Sequence, residues 1–237
     1  MTRSLLKSLS LLLALSFPAL APALPAQSSE PEATQPYLYL GAAWYPEQWP
    51  ESRWDADLDL MEKAHIRFAR VGEFAWSTME PTEGNYQWEW LDQAIADAAK
   101  HHIAIVLGTP SAAPPAWLTQ KYPEPLRYEA DGKQAQHGNR AQGSFVSPKY
   151  RELCRDIAER MAKRYGHNPN VIGWQLDNEI SAEDYGPAAR KAFDAWLEAH
   201  YKTLDNLNTR WTTAYWSQTY TNWDQIPIEE TYGNPGL

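Results

Sequence analysis

From residue 38 to about residue 204 the spacing of apolar positions switches repeatedly between two periods. Residues 38–44 read as a short strand that ends at Tyr45-Pro46-Glu47. Trp54, Leu58, Met61 and His65 then follow at helical spacing, with Pro50 at the first turn and Glu51 and Asp55 near the positive end of the dipole. Residues 66–71 predict a second strand, running into Gly72-Glu73-Phe74-Ala75-Trp76. Leu91, Ala94, Ile95 and Ala98 mark one face of a second helix. His101-His102 at its end suit the negative pole of the dipole; adjacent helical residues point apart, which argues against a metal pair. Residues 103–107 are almost wholly apolar, as in a strand buried on both faces. A third helix is predicted with Ser147 as cap, Pro148 in the first turn and Gly166 at the end. Tyr150, Leu153, Cys154, Ile157, Met161 and Tyr165 form its buried stripe, which makes Cys154 an inert, packed thiol. Residues 171–180 give a fourth strand. A fourth helix begins near Pro187 and buries Phe193, Trp196, Leu197 and Tyr201. Beyond Leu204, Trp211, Tyr215, Trp216, Tyr220 and Trp223 follow no clear period.

Four strand–helix alternations imply an α/β fold with a parallel sheet and right-handed crossovers. No Gly-x-Gly-x-x-Gly follows the first strand, so a dinucleotide fold has no support. Polar or aromatic residues close each strand: Tyr45 and Glu47, Glu73 and Trp76, Thr109, then Asn178 and Glu179. In a (β/α)8 barrel such strand ends face one common pocket. The connection over residues 108–146 is long for a compact domain, which marks it as functional or unstructured. Trp117, Tyr122, Tyr128 and Arg140 within it favour an ordered loop facing a substrate.

Composition narrows the classes. The chain has 237 residues, 43% hydrophobic and 22% charged, as in a soluble globular protein. A formal charge of −9 argues against nucleic-acid binding, which needs a basic patch. The 12 Trp and 13 Tyr suit packed cores and also stacking on sugar faces. Arg3 and Lys7, the apolar run over residues 5–17 and the small residues after it have the layout of a secretory signal peptide. We expect cleavage after Ala23 or Ala26, with Ala26 preferred, and a secreted or periplasmic product. Residues 1–26 would be the signal, 27–37 a linker and 38–237 the domain. The apolar run is too short to span a membrane, and no other stretch approaches that length. With Cys154 alone there is no internal disulfide and no cysteine zinc cluster.

The stretch Val171-Ile172-Gly173-Trp174-Gln175-Leu176-Asp177-Asn178-Glu179-Ile180 carries the chemistry. It opens apolar and closes on a carboxamide and a carboxylate, as a strand entering a polar pocket would. A glutamate between low-dielectric walls can serve as a general acid. An asparagine beside it offers a donor and an acceptor to a hydroxyl. By spacing alone, the same triplet also reads as a solvated loop with helix-capping residues.

Five motifs remove that ambiguity. Ala43-Trp44-Tyr45-Pro46-Glu47-Gln48-Trp49-Pro50, Gly72-Glu73-Phe74-Ala75-Trp76, Gly108-Thr109-Pro110, Ala113-Pro114-Pro115-Ala116-Trp117 and Gly173-Trp174-Gln175-Leu176-Asp177-Asn178-Glu179 resemble glycoside hydrolase family 42 in order, from residue 38 to about 234. The resemblance implies a retaining β-galactosidase on a (β/α)8 TIM barrel. It implies that Glu179 is the proton donor (acid/base) and that Asn178 binds the sugar. Arg140, placed by counting back from Ser147, binds it too. Glu73 and Trp76 would shape the pocket floor and wall. A cysteine cluster in some members binds zinc; Ser144 stands at its first position here, so no metal is expected, and no cofactor. In this family the nucleophile lies on the seventh strand, and retention needs two carboxylates about 5–5.5 Å apart. The residues read here make only the first four strand–helix units, so no nucleophile is assigned in this chain. We expect these residues alone to be inactive, with open edges at the first and fourth strands. The implied partner is a β-galactoside or galacto-oligosaccharide, with no nucleic acid and no membrane after signal removal, and a homotrimer at full length. Two other readings stay open: a different retaining β-glycosidase of the same barrel clan, and a non-catalytic sugar-binding fragment.

Overall fold

The computed structural model describes residues 39–138, 140–180 and 183–228. The signal peptide and linker expected over residues 1–37 lie outside the described residues. Four parallel strands pair in chain order, β1 (Gly41–Ala43), β2 (Phe68–Val71), β3 (Ala104–Gly108) and β4 (Val171–Gln175). The crossover helices are α1 (Glu51–Lys63), α3 (Glu89–Lys100) and α5 (Pro148–Tyr165), with α6 (Pro187–Tyr201) after β4. Three shorter helices were not legible in the pattern: α2 (Trp76–Met79), α4 (Ala116–Lys121) and α7 (Leu204–Trp211). These are the first four β/α units of a (β/α)8 barrel.

The core lies between one face of the sheet and the helices. Ala69, Val71, Ile105 and Leu107 point into it and meet Leu58 of α1, the Leu91/Ala94/Ile95/Ala98 face of α3, and Ile157 and Met161 of α5. All of these are essentially inaccessible to solvent. Burying a side chain of that size is worth about 1.5–3 kcal/mol. The other sheet face alternates small and large residues: a Cβ on Gly41 would lie 2.2 Å from the Phe68 ring. That close approach requires glycine. Gly108 is equally constrained, because its Cβ would lie 2.8 Å from the Glu73 Cα.

Helix α5 starts as expected, with Ser147 Oγ accepting from Tyr150 N at 3.1 Å. It ends at Gly166, also as expected, although that cap keeps a right-handed φ of −62°. Pro50 is the residue before α1 rather than part of its first turn, and His65 lies beyond it with φ 59°. His101 does more than face a dipole. Its Nε2 lies 2.9 Å from Asp55 Oδ1 and its Nδ1 3.3 Å from Glu62 Oε2, both on α1. The Asp55 contact and the Glu62 contact raise its pKa.

Several burial expectations fail for identifiable reasons. The apolar opening of β4 does not bring full burial: Ile172 is exposed, on a strand that is an edge of the described sheet. Trp196 was placed in a core and is 52% exposed. It stacks between Phe193 and His200 on the surface of α6, while Leu197 and Tyr201 pack on Leu207, Trp211 and Ile226. Cys154 is a free, partly buried thiol pushed up to about 12 by desolvation, as an inert packed cysteine should be.

Candidate active site

The strands are parallel, with one register shift between β3 and β4 at Ile105/Val106, so their C-terminal ends lie along one rim. Glu47 follows β1, Glu73 follows β2, Thr109 and Ser111 follow β3, and Asp177, Asn178 and Glu179 follow β4.

Asp177 organises the β4 end. Ser111 Oγ donates to its Oδ2 at 2.6 Å, its N–H donates to Thr109 Oγ1 at 2.8 Å, and Asn178 N donates to its Oδ1 at 2.6 Å. The Tyr150 hydroxyl donates in turn to the Ser111 carbonyl. Four groups from three segments thus fix one turn. Asp177 and Glu179 both have left-handed backbones, φ 58° and 50°. Such strain costs on the order of 1–3 kcal/mol per residue and persists only where surroundings enforce it. The Asp177 clamp is that enforcement. Gln175 Nε2 donates to Asn178 Oδ1 at 3.0 Å and to the Asp177 carbonyl at 2.8 Å, which sets the carboxamide's orientation. Asn178 is 8% exposed and Asp177 7%.

Arg140 comes from the long connection. Its neighbour Ala141 donates to the Ala112 carbonyl at 2.7 Å and accepts from Arg127 Nε at 2.7 Å, so the loop is ordered there. Arg140 Nη2 lies 2.9 Å from Glu179 Oε2 and its guanidinium sits over the Phe74 ring. Three of the expected residues, Arg140, Asn178 and Glu179, therefore meet at one rim. Asn178 and Glu179 line a small, shallow cleft together with Ser111, Ala112, Gly143, Phe145 and Tyr150. The expected low-dielectric walls around Glu179 are not seen: its side chain is 67% exposed. The described strands flank only one side of it.

Other expectations are corrected. Trp76 is not a pocket wall; it is wholly buried, stacked on Tyr150, with Nε1 donating to Glu80 Oε2 at 2.8 Å. Glu73 is fully buried at the β2 end and pairs with Arg70 at 2.8 Å. Trp117 and Tyr122 do not face the cleft. Trp117 donates to the Glu80 carbonyl at 2.8 Å and Tyr122 to Glu83 Oε1 at 2.8 Å, tying α4 to the segment after α2. Ser144, at the position where the resemblance places a cysteine, donates to Asp184 Oδ2 at 2.5 Å. Asp184 Oδ1 accepts from Tyr128 N and Gly186 N, both at 2.9 Å, and so joins the long connection to the start of α6. Among the described residues no three His, Cys, Asp or Glu side chains gather as a metal site. The clamp residues Ser111, Thr109 and Gln175 were missed as a group. Ser111 and Asp177 stand 66 positions apart, and only the parallel pairing of β3 with β4 brings them together.

Four β/α units with a clamped Asn-Glu pair and an arginine at the C-terminal rim define a barrel of the kind that carries its chemistry at strand ends. The family profile for glycoside hydrolase family 42, beta-galactosidase, matches residues 43–234, and the chain belongs to that family. It is 44% identical over 193 residues to a beta-galactosidase of Thermus thermophilus and 42% identical over 200 residues to beta-galactosidase BglY of Alicyclobacillus acidocaldarius. Those matches cover 80% and 83% of this chain but 30% and 29% of the relatives. The solved beta-galactosidase of the psychrophilic Marinomonas ef1 superposes with a TM-score of 0.77 at 40% identity, over 84% of this chain and 31% of that one. The cold-adapted beta-galactosidase of Rahnella sp. R3 gives 0.78 at 39% identity, over 85% and 30%. The chain thus spans about 30% of the length of the relatives it matches.

Proposed function

We propose that these residues supply the acid/base side of a retaining β-galactosidase, secreted or periplasmic once residues 1–26 are removed. The observation that carries the reading is Glu179 at the β4 end, beside Asn178 and 2.9 Å from Arg140, in a family 42 chain. In this proposal Glu179 protonates the glycosidic oxygen as the bond to the aglycone breaks, then deprotonates the incoming water. Asn178 and Arg140 hold hydroxyls of the galactosyl ring. Arg140 leaves Glu179 for the sugar when substrate binds. The nucleophile comes from a strand beyond these four units, and residues 1–237 alone have no turnover.

The test is a panel of nitrophenyl glycosides, assayed with a catalytically complete barrel carrying these residues and with residues 27–237 alone. The complete barrel should favour the β-galactoside over the β-glucoside and β-mannoside, and the shorter polypeptide should release no nitrophenol. A preference for glucoside or mannoside would move the chain to another glycosidase of the clan. Galactose binding by the complete barrel without turnover would make it a sugar-binding protein.

Arg140→Ala and Asn178→Ala test the sugar contacts. Each removes a hydrogen bond to a group that strengthens its bonding in the transition state, so kcat should fall as well as KM rise. A charged or well-placed hydrogen bond worth about 1.5–3 kcal/mol corresponds to roughly 10–100-fold in kcat/KM. Steady-state kinetics on a nitrophenyl galactoside reads this directly. Wild-type kinetics for Arg140→Ala would remove that residue from the sugar site.

A further inference from the structure

Arg140 and Glu179 meet 2.9 Å apart, yet both side chains are more than half exposed. An ion pair open to water does little to fix its own geometry, because solvent screens it and two long side chains must lose rotamer freedom. The meeting is therefore set by the backbones that carry the two residues. The Asp177 clamp fixes the Glu179 side. The Arg140 side has a different fixture, built on Arg127.

Ala141, next to Arg140, has a left-handed backbone with φ 58°. An alanine keeps that conformation only where its surroundings enforce it. Both of its main-chain polar groups are held. Its N–H donates to the Ala112 carbonyl at 2.7 Å, and its carbonyl accepts from Arg127 Nε at 2.7 Å. Arg127 N donates to the Gln142 carbonyl at 3.0 Å, which pins the next residue as well. Arg127 Nη1 reaches the segment after β4, donating to the Glu183 carbonyl at 3.3 Å, while Nη2 pairs with Glu129 Oε1 at 2.9 Å. Tyr128 adds two links to the same segment: its N–H donates to Asp184 Oδ1 at 2.9 Å, and its carbonyl accepts from Tyr185 N at 3.0 Å. Residues 127–128 thus tie the chain that carries Arg140 to the chain that follows Glu179. The Arg127 side chain is only 18% exposed, so water competes poorly for its bonds.

We propose that Arg127 is a positioning residue: its planar fork holds the left-handed turn at Ala141 against the segment after β4, and so aims the Arg140 guanidinium at the β4 end where Glu179 stands. The consequence for turnover rests on the reading above, in which Arg140 meets the sugar; the tie itself does not. Lysine cannot replace this arginine. Its ammonium is one compact charge on a flexible stem, and cannot serve the three acceptors that three separate nitrogens of the fork now serve. Arg127→Lys keeps the charge beside Glu129 and loses the tie. Arg127→Met keeps an unbranched stem without the charge and is the second variant.

Both variants are measured in a catalytically complete barrel carrying these residues. Amide hydrogen exchange, read by mass spectrometry, should rise in peptides covering residues 141–144 and 183–186 and keep its wild-type rate over β1 to β4. Misplacing a binding group by about 1 Å can cost on the order of 10²-fold, so kcat/KM on a nitrophenyl galactoside should fall by up to that factor. In the Arg140→Ala background the same substitutions should cost nothing further, because Arg127 acts through Arg140. A merely structural arginine would lower the urea midpoint and leave the kinetics of the folded fraction at the wild-type values, and that outcome overturns the proposal. Unchanged exchange at both peptides in both variants overturns it too, as does a full kinetic loss on top of Arg140→Ala. Wild-type kinetics for Arg140→Ala, with exchange at the two peptides still raised by Arg127→Lys, would instead strike the sugar contact and leave the tie standing.

Discussion

Glu179→Gln, in a barrel complete enough to turn over substrate, is expected to lower kcat/KM on lactose by about 10²–10⁴-fold, the ordinary worth of a positioned general acid. The glutamine keeps the size of the side chain and removes the transferable proton. Lactose loses a poor leaving group, so its glycosidic oxygen must be protonated as the bond breaks. A nitrophenyl galactoside leaves readily as a phenolate, so its first step should suffer less. The second step should still slow, because water then lacks a base, and azide, a nucleophile that needs none, should restore turnover as galactosyl azide. Before substrate binds, Glu179 Oε2 also faces Arg140 Nη2 at 2.9 Å, and glutamine cannot keep an ion pair there, so placement by Arg140 is a second effect to separate from proton donation. Arg140→Ala in the Glu179→Gln background separates the two. If Arg140 acts on the sugar, the losses multiply; if it acts only by placing Glu179, the second substitution adds little. Equal losses on lactose and the aryl substrate, with no azide effect, would take the acid/base role away from Glu179.

What could be read ahead of the structure follows from how far each signal reaches along the chain. The α3 face of Leu91, Ala94, Ile95 and Ala98 is wholly buried because a period of 3.6 over twelve residues leaves one way to pack. The same holds for the Tyr150-Ile157-Met161-Tyr165 stripe of α5. Helices α2 and α4, of four and six residues, are too short to express a period. The motif at the β4 end put Asn178 and Glu179 at the rim, and the count back from Ser147 put Arg140 on the connection that meets it, 2.9 Å from Glu179. The turn that holds them was not legible, because it depends on Ser111 and Thr109 reaching Asp177 across the β3–β4 pairing. Nor was the exposure of Trp196 or Ile172: an apolar residue on a regular face predicts burial, and whether anything covers that face is a property of neighbouring elements.

Trp76 is the sharpest case, since position and residue type both pointed to the pocket and the structure puts it in the core. It opens α2, and its ring turns inward onto Tyr150, 6.5 Å away. Its Nε1 is the donor to Glu80 Oε2, while Glu80 Oε1 accepts from Gly84 N at 2.7 Å. Glu80 is 3% exposed, so removing the indole donor leaves a buried carboxylate oxygen without that partner. Trp76→Ala should therefore cost about 3–5 kcal/mol for the lost packing and cavity, and roughly 1–3 more for the orphaned oxygen. Against a total stability of about 5–15 kcal/mol, most of the variant should be unfolded or insoluble. Trp76→Phe keeps part of the ring contact with Tyr150 and loses the donor. It should fold with a clearly lowered urea midpoint and an unchanged slope. The measurement that discriminates is that midpoint beside steady-state kinetics for the folded fraction. A core residue loses midpoint and keeps KM. A pocket wall would do the reverse, raising KM for the galactoside while the midpoint stayed at the wild-type value, and that outcome would restore Trp76 to the sugar site.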